Sequence, residues 1–162
     1  MLLLGLPLAA IVISLVVAYA NTTSQINYPE QTIARGGTGS QAWSLVASGS
    51  KIDNDAPVAC TELRDAAGEL LGYRACNYRP EDHSRHDVQY NDTELPDGQH
   101  IWFGQGPDKA VTAELRFPGG RVVSIETVVA PGIPGRFFYF IDRPGPNPTI
   151  TFKDSDGQPI RI

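Results

Sequence analysis

The stretch Arg136-Phe137-Phe138-Tyr139-Phe140-Ile141-Asp142 holds three of the chain's six phenylalanines and is apolar at both odd and even positions. Successive side chains of a strand point to opposite faces, so a strand of this composition has two dry faces and belongs in the middle of a packed system of sheets. Beyond residue 40, most of the chain reads as short strands that cover it.

After a strand over 100–104 and the turn Gln105-Gly106-Pro107-Asp108, residues 111–117 alternate cleanly, with Val111, Ala113, Leu115 and Phe117 turned inward. Their partner, 121–128, comes after Pro118-Gly119-Gly120. A three-residue loop ending in Gly120 sets Leu115 against Val123 and Ala113 against Ile125, whereas a two-residue loop sets Leu115 against Ser124. The pleat therefore selects the longer loop. The same reasoning across Asp154-Ser155-Asp156-Gly157-Gln158 brings Phe152 against Ile160. Asp154-x-Asp156-Gly157 is turn chemistry rather than a calcium loop. Two Pro/Gly turns, 130–135 and 143–148, bracket the aromatic strand.

Upstream, 42–47 reads as a strand with Trp43 and Leu45 on one face, and Ser48-Gly49-Ser50-Lys51 as the turn after it. That tetrapeptide has the Ser-x-x-Lys spacing of penicillin-binding enzymes, but the Ser-Asp-Asn and Lys-Thr-Gly companions are missing. Residues 58–64 and 70–76 form a hairpin about Asp65-Ala66-Ala67-Gly68-Glu69. A three-residue loop there places Leu63 opposite Leu71, Thr61 opposite Tyr73 and Cys60 opposite Arg74. Cys60 and Cys76 are then diagonal, and a disulfide between them needs a small bulge.

Residues 77–98 form a long polar loop with few apolar side chains, the kind that in a compact domain carries recognition. Arg79, Glu81, Asp82, Arg85, Asp87 and Tyr90 are its candidate contact residues. Asp82, His83, His86 and Asp87 are an alternative metal set for Zn or Cu, although a loop gives such ligands no fixed geometry. Asn21-Thr22-Thr23 and Asn91-Asp92-Thr93 are formal N-glycosylation sequons. No catalytic motif and no cofactor signature emerges.

The first 20 residues contain no charged side chain. Two readings stand side by side: a transmembrane anchor by length, and a signal peptide by the Ala18-Tyr19-Ala20 small-x-small site. Residues 21–40, polar and ending in a glycine run, read as a flexible stalk. An even cysteine count fits an oxidising, extracytoplasmic space, at the cell membrane or secreted from it. With 13 basic against 18 acidic residues and no basic cluster, nucleic acid is excluded as a partner.

The order of an alternating strand with a Gly turn, then Gly135-Arg136-Phe137-Phe138-x-Phe140, then Asp154-x-Asp156-Gly157, resembles small membrane-anchored or secreted envelope proteins of actinobacteria. The resemblance spans about two thirds of the chain and brings no catalytic residue with it.

The expectation is an all-β domain over 41–162, an antiparallel immunoglobulin-like β-sandwich of about eight strands behind one N-terminal apolar helix, with a small closed barrel as the alternative. The expected role is non-enzymatic: binding a protein or cell-envelope partner through loops, with the membrane as a further partner if residues 1–20 remain attached; the alternative is a metal-binding protein or enzyme using His83 and His86.

Overall fold

A computed structural model describes residues 25–52, 58–77 and 90–160. Residues 1–24, on which the N-terminal apolar helix is expected, and residues 53–57, 78–89, 161 and 162 lie outside the described residues. The chain is all-β, with ten strands in three antiparallel sheets among the described residues. Sheet A takes β1 (Gln25–Gly36), β2 (Trp43–Ile52), β3 (Val58–Asp65) and β4 (Ala75–Asn77) in chain order. Sheet B has β6 (His100–Gly106) between β5 (Tyr90–Glu94) and β9 (Arg136–Asp142). Sheet C has β7 (Thr112–Arg116) between β8 (Val122–Glu126) and β10 (Thr149–Lys153).

The aromatic strand has its two dry faces because sheet B is the middle layer of three. From β9, Phe137 packs with Ala47 and Ala59 of sheet A, while Phe138 packs with Leu115, Ile150 and Phe152 of sheet C. On β6, Ile101 and Phe103 join Leu45 and Leu63 of sheet A, and Trp102 joins the core under sheet C. Alternation along two adjacent strands thus feeds two separate cores. In its ladder β9 is an edge rather than a centre. It pairs on one side with β6, and its other side carries the bridge between Val128 and Phe137.

Sheet C keeps the register that the pleat selects. Leu115 pairs with Val123 and Ala113 with Ile125. Phe117 N–H donates to Arg121 O at 2.9 Å, and Ile160 N–H donates to Phe152 O at 2.8 Å. The 143–148 turn, which carries the chain from sheet B to sheet C, is fastened at its end. Trp102 Nε1 donates to Asn147 Oδ1 at 3.0 Å, and Tyr90 donates its hydroxyl to Pro148 O at 3.0 Å.

Four expectations are corrected. The stalk expected over 21–40 is, from Gln25 to Gly36, strand β1. Its register slips twice, between Tyr28 and Gln31 and between Thr32 and Ala34. These bulges on an edge strand break the period of two that would have revealed it. The glycine run joins β1 to β2, and a Cβ at Gly36 would lie 2.4 Å from the Trp43 indole. The turn expected at 48–51 is the continuation of β2, with Ser48 paired to Cys60. Gln105 and Gly106, expected in a turn, belong to β6, and the polar 77–98 loop is interrupted by β5.

Candidate functional site

Sheet A turns one face to sheet B, and on its other face Val46, Cys60 and Glu62 are buried as well. Trp43, Leu45 and Leu63 are buried on the inner face. Cys60, Glu62 and Arg64 alternate with them and project outward. There the ladder sets Cys60 directly against Cys76, with Cα atoms 4.0 Å apart, and the two form a disulfide. It staples neighbouring strands of one sheet on its outer face. Beside it, Arg64 bonds Glu62 at 2.9 Å and Glu30 at 2.6 Å, and Arg74 pairs with Glu62 from the other side. The hydrogen bond from Arg64 holds the Glu30 carboxyl below its usual range.

Bringing the cysteines face to face forces a bulge in the returning strand. Arg64 still bridges Leu70, and Leu71 N–H donates to Leu63 O at 2.7 Å, as a three-residue loop demands. Three residues further along β3, however, Thr61 pairs with Ala75 rather than with Tyr73. Two extra residues are absorbed at Gly72, Tyr73 and Arg74, and Gly72 takes φ +79°, a conformation that favours glycine. The apolar face expected to hold Thr61 and Tyr73 together is therefore split. Leu71 stays packed on the core, while Tyr73 is 82% exposed and Leu70 49%.

The exposed ridge is held in place. Asn91 Nδ2 of β5 donates to Tyr73 O at 2.6 Å, and Thr93 lies 3.3 Å from where a Cβ on Gly72 would stand. The disulfide fixes the strand just past it. An outward-facing tyrosine on a fastened bulge offers a large amphipathic surface with little entropy left to lose on contact, the property that makes tyrosine frequent at the centres of protein interfaces.

Of the contact residues expected in the polar loop, Tyr90 lies among the described residues. It is half-buried, its hydroxyl bonded to Pro148 O at 3.0 Å, and burial followed by the Asp92 charge pushes its phenol up. It works as a stem of the loop. Arg79, Glu81, Asp82, Arg85 and Asp87, and with them the metal set of Asp82, His83, His86 and Asp87, lie outside the described residues. Among the described residues no group of three or more His, Cys, Asp or Glu side chains is placed to hold a metal ion. Nor is any helix there long and apolar enough to cross a membrane.

The ridge is not legible in the sequence because Leu70-Leu71-Gly72-Tyr73 reads as an ordinary strand. The available signal is the diagonal cysteine register, which already requires a bulge. Set against known proteins, the chain matches no family model, no curated protein and no solved structure.

Proposed function

We propose that the protein is a non-enzymatic extracytoplasmic module, tethered to a membrane or secreted, that binds a protein or cell-envelope partner. The Tyr73 ridge and the adjoining polar loop form the contact surface. The observation that carries this reading is the 82% exposure of Tyr73, three residues after the exposed Leu70, on a bulge fixed by Asn91 and the disulfide. A tyrosine held rigidly at the edge of a sheet has little conformational entropy left to lose when a partner covers it. The extracytoplasmic placement is supported by the Cys60–Cys76 bridge, a bond that persists in oxidising compartments, and by the uncharged leader. The likeness to actinobacterial envelope proteins belongs to the same proposal. The immunoglobulin-like comparison extends to stacked antiparallel sheets that present loops. It does not extend to the disulfide, which joins adjacent strands of one sheet.

The test is photo-cross-linking in the native host with a photoreactive side chain in place of Tyr73, and a control at Ser124 on the exposed face of sheet C. A discrete adduct from position 73 and none from 124 is expected. Equal labelling from both positions, or none from 73, removes the ridge as the contact surface. The intact mass of the native protein separates tether from secretion, since a chain beginning at Asn21 has lost its leader.

A further inference from the structure

On the opposite face of sheet B, three rings lie within 6 Å of one another between sheets B and C. Trp102 meets Phe117 edge-on at 5.5 Å and stacks on Phe140 at 5.9 Å, and Phe117 lies 5.9 Å from Phe140. The guanidinium of Arg121 sits 4.3 Å from the Phe117 ring centre and 5.9 Å from that of Phe140. Its Nη1 reaches Asp142 Oδ2 at 2.5 Å. Ring faces carry negative potential, and a carboxylate beside them completes a seat for a planar or alkylated cation.

The seat and its occupant differ in how firmly they are held. Trp102 is fully buried and fixed by Asn147, and Phe117 is buried in the same core. Asp142 keeps a hydrogen bond from the Arg143 N–H at 2.8 Å that does not depend on Arg121. The rings and the carboxylate therefore keep their arrangement without the arginine. Arg121, by contrast, is 53% exposed and enters from a turn whose Gly119 and Gly120 have open space around them. We propose that Phe117, Phe140 and Asp142 form a recognition seat for a guanidinium side chain of a partner protein, and that Arg121 fills it in the free protein as an exchangeable plug. This site is separate from the Tyr73 ridge. Asn91 and Thr93, which hold the ridge, alternate with Asp92 along β5 and so project from the other face.

The test uses the full chain and N-acetyl-arginine amide as probe, followed by NMR at the Trp102 indole N–H. Arg121→Ala should bind the probe at least tenfold more tightly than the wild type, and adding Phe140→Leu or Asp142→Asn should remove that gain. Arg121→Gln, which keeps most of the side-chain stem, serves should the alanine variant not fold. Absence of a saturable shift in both Arg121 variants, unfolding of both, or a gain that survives loss of Phe140 and Asp142 would overturn the proposal.

Discussion

The side-chain amide of Asn91 donates to the main-chain oxygen of Tyr73 at 2.6 Å, crossing from the edge strand of sheet B to the bulge at the edge of sheet A. The two sheets are thereby tied at the point where the bulge would otherwise be free to move. A hydrogen bond of this kind contributes about 1 kcal/mol. Asn91→Ala should lower global stability by about that amount and, more tellingly, speed amide exchange at residues 72–74 relative to the core of β6. Unchanged exchange there would mean that the glycine conformation alone fixes the ridge.

Cys60 and Cys76 stand opposite one another in the ladder, with a sequence separation of 16. Closing a loop of this size stabilises the fold by roughly 3 kcal/mol in the chain-entropy model. Replacing both cysteines by serine should lower the urea midpoint and steepen the slope, because the denatured chain freed of the cross-link exposes more surface. Reduction of the native protein should add about two mass units. A midpoint unchanged by the double replacement would show that the outer-face staple adds nothing.

Gly106 closes β6 on the side facing sheet C, and a Cβ there would stand 2.5 Å from the Phe152 ring, itself buried. Gly106→Ala should cost about 1–3 kcal/mol through overpacking. Thermal unfolding in parallel with Gly68→Ala makes the distinction. At Gly68 nothing lies within 4 Å and φ is +85°, so only backbone strain is incurred. A larger loss at Gly68 than at Gly106 would contradict the packing described for sheet C.

How legible the chain is depends on where each residue faces. Ala113, Leu115, Val123 and Ile125 each have one buried and one solvated side, so period and turn length together fix their register. The aromatic strand reveals its two dry faces, but a single sequence does not say that the second face belongs to a third sheet rather than to a two-layer sandwich. Strand β1 stays hidden because two register slips disrupt its alternation and much of its surface is exposed. Tyr73 falls on the wrong side in a sequence reading because a bulge of two residues reverses nothing in the composition, only in the pairing. The Arg121 seat joins residues from three separate strands and turns, a juxtaposition that local pattern does not carry.

Among the described residues three carboxyls are held below their ordinary range: Glu30 by the hydrogen bond from Arg64, Glu114 by that from Lys153, and Asp142 by the Arg143 N–H followed by Arg121. A carboxyl depressed in the folded state contributes stability that is present above its unfolded value and lost as the pH falls through its folded value. The ordinary values are 4.5 for Glu30 and 3.8 for Asp142. Stability from these groups should therefore be level at neutral pH and decline below about pH 4.5. In urea titrations Glu30→Gln should give a shallower acid decline than the wild type. An identical acid limb would mean that the Arg64 contact contributes nothing in solution.

The most direct test of the central claim is partner recovery by Leu70→Ser/Tyr73→Ser, measured by quantitative cross-linking in the native host beside the thermal midpoint of the purified variant. Both side chains point to solvent, so the midpoint should stay within the range of neutral surface changes, about 0.5 kcal/mol in stability. Recovery of the adduct should fall at least tenfold, as expected on loss of an interface anchor worth about 1.4 kcal/mol or more. Undiminished recovery from a normally folded variant would contradict the account and move the contact surface away from the ridge.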